Sequence, residues 1–110
     1  MSEPSELEWL GFELAVQKYF IGRGAQAMIL ARLIRRAGLT CQTECLVSGS
    51  DLSESSVVVY VSTLRSQLKD LGFAAKIENV SGCGYRMAEG HAREIWDRVM
   101  KVVFHLSEAA

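Results

Sequence analysis

The side chains with the reactivity to bind a metal or attack a substrate are few: Cys41, Cys45, Cys83, His91 and His105. Cys41 and Cys45 are four residues apart, a spacing that sets two thiols on one face of a helix. A zinc site takes about four ligands, and only Cys83 and His91 are left to complete one. With an odd number of cysteines and no Cys-x-x-Cys pair, a disulfide framework is not expected either. The three thiols read as free and as small hydrophobic side chains, with no metal and no cofactor. Catalysis finds no better footing. Both histidines lie in the tail, away from any thiol or paired carboxylates, and Gly82-x-Gly84 lacks the third glycine and the following helix of a dinucleotide loop. The expectation is a binding protein and not an enzyme.

A second set of residues has the chemistry of contact with nucleic acid. Ser55, Ser62 and Ser66 can hydrogen-bond a base edge or a phosphate, Val58 and Val59 can touch a thymine methyl, and Arg65 and Lys69 supply positive charge. The net charge of −1 gives such contact no support, but the distribution of charge does. Residues 18–87 hold nine Lys or Arg against five Asp or Glu, a balance of +4. The acids gather at the ends: four Glu and no base in residues 1–17, and four acids against Arg93, Arg98 and Lys101 in residues 88–110.

These side chains need elements to position them. At 110 residues and 49% hydrophobic, the chain is long enough for one domain with a core and too short for two. Its apolar stretches are broken by charge or glycine well short of the roughly 20 residues that span a bilayer. Met1 to Glu8 is acidic and polar, unlike a secretory signal, so the expected location is the cytoplasm. Residues 9–21, WLGFELAVQKYFI, alternate in part, with Phe12, Leu14 and Val16 on one side if extended, and are expected to form two short strands or one strand and a loop. Ala25 to Ala37 carries Ile29, Leu30, Leu33, Ile34 and Ala37 at helical spacing, with Gly38 following as a C′ residue. Thr40 can cap a short second helix running to about Val47, before the turn Ser48-Gly49-Ser50.

The next segment is β-branched from Val57 to Val61 and locally favours a strand. Periodicity overrides this, because Val57, Val61, Leu64, Leu68 and Leu71 recur at four, three, four and three, one stripe of a helix. Asp51 or Ser53 is its N-cap and Gly72 its end. The opposite face then carries Ser55, Val58, Val59, Ser62, Ser66 and Lys69, with Arg65 on the flank. FAAKIENV and GYRM around Ser81-Gly82-Cys83-Gly84 predict a hairpin. Glu89 to Leu106 is again helical, with Ile95, Val99, Val102 and Leu106 on one face and Trp96, Met100 and Val103 beside them.

Two stretches carry a family likeness. Val57-Val58-Val59-Tyr60-Val61-Ser62-Thr63-Leu64-Arg65-Ser66-Gln67-Leu68 resembles the recognition helix of OmpR/PhoB-type response-regulator effector domains, whose pattern runs V-D-V-H-I-x-x-L-R-x-K-L. Val80-Ser81-Gly82-Cys83-Gly84-Tyr85-Arg86-Met87 resembles the V-R-G-x-G-Y-R-hydrophobic ending of that family's wing. The resemblance covers residues 12–87, and the expectation is a stand-alone relative without the receiver domain and its phosphoacceptor Asp. It implies an α+β winged helix-turn-helix: a three-helix core with a C-terminal β-hairpin wing, here with short N-terminal strands and an added C-terminal helix. It further implies a DNA-binding transcriptional regulator of bacterial or phage type, reading double-stranded DNA through Ser55, Val58, Tyr60, Ser62, Thr63, Arg65, Ser66, Lys69, Asn79, Ser81, Tyr85 and Arg86.

The departures are chemical. Where the family carries further Arg or Lys this chain has Ser62, Thr63, Ser66, Gln67 and Ser81, while Tyr60 replaces a His and Val58 an Asp. Phosphate contacts dominate affinity, so one copy should bind weakly. Either a homodimer supplies a second half-site, or the domain is a winged-helix adaptor that holds RNA polymerase or another regulator. Residues 1–8 then form a flexible N-terminus, 9–88 the winged domain, and 89–110 a helix whose Ile95, Trp96, Val99 and Val103 are the candidate dimer surface. No membrane partner is expected.

Overall fold

In the computed structural model, which describes residues 3–109 and side chains over 3–105, the first element is a helix and not the strands that residues 9–21 predict. Ser5 and Glu8 form a capping box: the Ser5 hydroxyl accepts from the Glu8 N–H at 3.2 Å, and the Glu8 carboxylate accepts from the Ser5 N–H at 3.1 Å. Helix α1 follows over Glu6–Ala15 and runs on as a π-helical turn, Val16–Ile21. The partial alternation that suggested strands is outweighed by burial at Phe12, Ala15 and Val16, a three-and-four pattern that leaves Leu14 exposed. The wider π-turn then brings Ile21 into the core while Tyr19 stays 46% exposed. Gly22, at φ 74°, ends the helix in the left-handed conformation that favours glycine. The helix takes in Glu6 to Glu8, inside the segment expected as a flexible N-terminus.

Helix α2, Gly24–Arg35, buries Ile29, Leu30, Leu33 and Ile34 as the spacing predicts, and is the central helix of the fold. A two-residue strand β1, Cys41–Gln42, intervenes before α3, Thr43–Val47, so Gln42 and not Thr40 stands at the N-cap. A 3₁₀ turn, Glu54–Ser56, leads into α4, Val57–Asp70. Its start carries no side-chain cap, and the Ser53 hydroxyl lies 3.1 Å from that of Ser55. Its end is a Schellman motif: Gly72, at φ 84°, donates to the Lys69 carbonyl and Phe73 to that of Leu68, both at 3.0 Å.

Strands β2, Glu78–Val80, and β3, Gly84–Arg86, form the expected hairpin, and β1 joins it to give an antiparallel sheet in the order β1-β3-β2. Cys41 faces Tyr85, and Glu78 faces Arg86. Gly84 is obligatory for this crossing. A Cβ built on it overlaps the Cys41 carbonyl oxygen and lies 2.9 Å from the carbonyl carbon.

Helix α5, Glu89–Ala109, closes the core. Ala92, Ile95, Val99 and Met100 are buried. Trp96 stacks on Phe12 at 5.0 Å and 19°, with Trp9 set edge-on to Phe12 at 5.8 Å and 77°. Arg98 lies 4.6 Å over the Phe73 ring and donates to the Leu71 carbonyl at 2.7 Å, binding α5 to the end of α4. Leu106, expected on this face, has its side chain outside the described residues. The chain is thus mixed α+β, with five α-helices and one small antiparallel sheet among the described residues. No described helix is long and apolar enough to cross a membrane.

Candidate nucleic-acid interface

Helix α4 has two unlike faces. Val57, Val61, Leu64 and Leu68 are no more than 1% exposed, whereas Val58 and Val59 are 63% and 65% exposed. Ser62, Arg65, Ser66 and Lys69 are exposed on the same outer side. Ser55 is exposed one turn earlier, in the 3₁₀ segment. Tyr60 and Thr63 are only half-exposed and turn toward the flank, and the Thr63 hydroxyl donates to the Val59 carbonyl at 3.0 Å. That bond spends the Thr63 donor on its own helix.

Arg65 fixes the hairpin beside this face. Its guanidinium donates to the Ile77 carbonyl from Nε at 3.1 Å and from Nη2 at 2.6 Å, and from Nη2 to Asn79 Oδ1 at 3.0 Å. A planar fork suits such a clamp, and an ammonium would not reproduce it. Arg65 and Asn79 are therefore brought together, but as partners of each other. Arg86 is likewise engaged: it donates to Glu78 across the strands from Nε at 3.0 Å and Nη2 at 2.8 Å. Lys69 has no ion pair among the described residues.

Ser81 is exposed at the hairpin turn, which Cys83 closes by donating its N–H to the Val80 carbonyl at 2.9 Å. Tyr85 points the other way. It sits on the central strand with 8% exposure, so its ring packs the sheet on the core and is not presented at the surface beside Ser81. The Glu78–Arg86 pair escaped the sequence reading, although a signal for it exists: with the turn centred on Gly82, these two residues fall opposite each other with opposite charge. The partner of Arg65 had no such signal, because it is chiefly a backbone carbonyl.

The residues expected to pair two copies lie elsewhere. Ile95 and Val99 are 1% exposed, Trp96 is stacked on Phe12, and Val103 packs against the core beside Gly11. All four meet the rest of the chain, chiefly α1, because that segment is a helix with an aromatic face and not a pair of strands. This correction removes Ile95 and Val99 as a free surface, while Trp96 and Val103 stay partly exposed.

Cys41 and Cys45 line one cleft, and Cys83 lies apart from them at the hairpin turn. Cys41 is buried, Cys45 half-buried and Cys83 exposed, and no three His, Cys, Asp or Glu side chains among the described residues are grouped to hold a metal. Burial pushes the Cys41 thiol above its ordinary pKa. At the N-terminus, Glu6 and Arg35 are ion-paired, and hydrogen bonds from Arg35 hold the Glu6 carboxyl below the usual range. Comparison of the chain with protein-family models, with curated proteins and with solved structures gives no match.

Proposed function

We propose that this chain is a winged helix-turn-helix module that binds double-stranded DNA, with α4 entering the major groove and the β2–β3 hairpin as its wing. The observation that supports it is the pairing of two features: α4 buries one stripe and exposes the other, and Arg65 ties the hairpin to that exposed side. The major groove admits a helix of this kind. Val58 and Val59 are suited to thymine methyls, Ser62 and Ser66 to base edges or phosphate, and Lys69 to phosphate. The connection Ser48–Ser53 plus the 3₁₀ turn is longer than the three or four residues of a tight helix-turn-helix. With Arg65 and Arg86 engaged inside the protein, one copy has little charge for phosphate, so productive binding takes two copies on adjacent half-sites. The role is transcription control in a cytoplasmic setting, as the likeness to OmpR/PhoB-type effector domains suggests.

A second reading has an observation in its favour: the centre of the outer face is aliphatic, with Val58 and Val59 both more than half exposed. An adaptor docking a polymerase subunit or another regulator would use such a surface. Fluorescence anisotropy of a labelled duplex over a salt series separates the two. A DNA reader shows affinity that falls with salt and weakens on Lys69→Ala; no binding to any duplex at low salt rejects the DNA reading and leaves the adaptor.

A further inference from the structure

The C-terminal end of α2 and the β1–α3 segment border a cleft of about 300 Å³ that holds two of the three thiols, Cys41 and Cys45. Arg32, Arg35 and Arg36 supply its charge, and no described Asp or Glu lines it. Arg32 touches both cysteines: its Nη1 donates to the Cys45 carbonyl at 3.1 Å, and its own carbonyl accepts from Cys41 Sγ at 3.9 Å. Arg35 is neutralised by Glu6, whereas Arg36 is exposed and has no ion pair among the described residues. Burial raises the Cys41 pKa, Arg36 pulls it back and Cys45 adds to the rise, so Arg36 and Cys45 both lie within electrostatic reach of that thiol.

Cys83 has the opposite surroundings. It is exposed, and the cleft beside it is lined by Glu44 and Glu54 with no described Lys or Arg. The chain thus presents its thiols in two fields of opposite sign. Positive charge beside a thiol favours the thiolate, the form that attacks a disulfide, and raises the local concentration of anions. Negative charge does the reverse.

We propose that Cys45 and Cys41 form a modification site for small disulfides that carry carboxylates, with Arg36 holding a carboxylate. Cys45 is the attacking thiol, because it is half-buried while Cys41 is 1% exposed. The Cys45 thiolate, its proton lost to solvent, attacks one sulfur of the incoming disulfide. The S–S bond breaks, and one half leaves as a thiolate that takes up a proton. The Cys41 thiolate then attacks the Cys45 sulfur of this mixed disulfide, the Cys41–Cys45 bond forms, and the second half leaves in the same way. Two protein thiols are oxidised and one small disulfide is reduced to two thiols, with no other co-reactant. The new bond ties β1, which is paired with β3 of the hairpin, to α3, which packs beside α4. The inference stands without the DNA reading.

Peptide mass spectrometry of the full chain tests it, with exposed Cys83 as the internal reference. The probes are glutathione disulfide, which carries carboxylates, and the neutral hydroxyethyl disulfide. The ratio of the Cys45 rate to the Cys83 rate is expected to be about ten-fold or more higher with glutathione disulfide, and to fall as salt is added. Arg36→Gln, at an exposed position, lowers that ratio toward the neutral probe's value and leaves the neutral probe's own ratio unchanged. The wild type ends as the Cys41–Cys45 disulfide, whereas Cys41→Ala stops at the mixed disulfide on Cys45. Equal ratios for the two probes, or a ratio indifferent to Arg36→Gln, overturn the anionic substrate class. A wild type that keeps the mixed disulfide overturns the role of Cys41, and modification of Cys83 alone overturns the site.

Discussion

Arg65→Ala separates two jobs that one side chain can do on α4. In the structure the guanidinium makes two hydrogen bonds to the Ile77 carbonyl and one to Asn79 Oδ1. Hydrogen bonds from a charged donor contribute about 1.5–3 kcal/mol each when well sheltered. Here the two bonds to one carbonyl count together and Arg65 is exposed, so solvent screening brings the whole clamp to about 1–2 kcal/mol. Urea unfolding of Arg65→Ala should show that loss. Arg65→Lys should show most of it too, because an ammonium keeps the charge but not the fork. Asn79→Ala should couple to Arg65→Ala by about 0.5 kcal/mol or more in a double-mutant cycle. On DNA, affinity should fall because the hairpin loses its anchor, yet the slope of log K against log salt should hardly change. Loss of a true phosphate contact lowers that slope by about 0.9, and Lys69→Ala is the substitution expected to do so. An Arg65→Ala variant with a wild-type urea midpoint and a slope reduced by a full contact would refute the clamp and return Arg65 to the phosphate backbone.

Other outcomes follow from single sites. Gly84→Ala should destabilise the chain by about 3 kcal/mol or more, because a Cβ there meets the backbone of Cys41. Gly82→Ala, whose Cβ meets only open space at φ 73°, should cost only about 1–2 kcal/mol; equal urea midpoints for the two would contradict the β1–β3 crossing. Phe12→Ala should cost about 3–5 kcal/mol, since Phe12 is fully buried against Trp96; a loss below about 1 kcal/mol would mean that α1 does not dock. With a thiol reagent at neutral pH, exposed Cys83 should react first and buried Cys41 last, because a raised pKa leaves Cys41 in the unreactive thiol form. The Cys41 rate should rise only as pH climbs past the ordinary thiol range or as the chain unfolds; faster labelling of Cys41 than Cys83 in the folded protein would be the contrary result.

Where side-chain periodicity was long and regular, the sequence alone determined the outcome. The four-three-four-three stripe from Val57 to Leu71 overrode five β-branched or aromatic residues in a row, since only a helix buries that stripe on one side. Gly72 and Gly82 announced a helix end and a hairpin, because the backbone there adopts a left-handed conformation that side chains disfavour. The exposure of Val58, Ser62, Ser66 and Lys69 followed from the same stripe.

Residues 9–21 were not legible in this way. Their apolar positions fit a strand in part and a helix in part, and a π-turn breaks the period halfway. What decides between the readings is Trp96, more than 80 positions away, whose ring stacks on Phe12 only if that segment is a helix. The Ser5–Glu8 capping box is the local signal that favoured the helix. Tertiary structure also decided which charges remain free. Sequence places Arg65 and Arg86 on the expected DNA surface, but a guanidinium binds the nearest acceptor of good geometry, and folding brings the Ile77 carbonyl to the first and Glu78 to the second. Helix positions and turns came from local pattern; the fate of each charge, and the helix that covers α5, came from contacts between segments far apart in the chain.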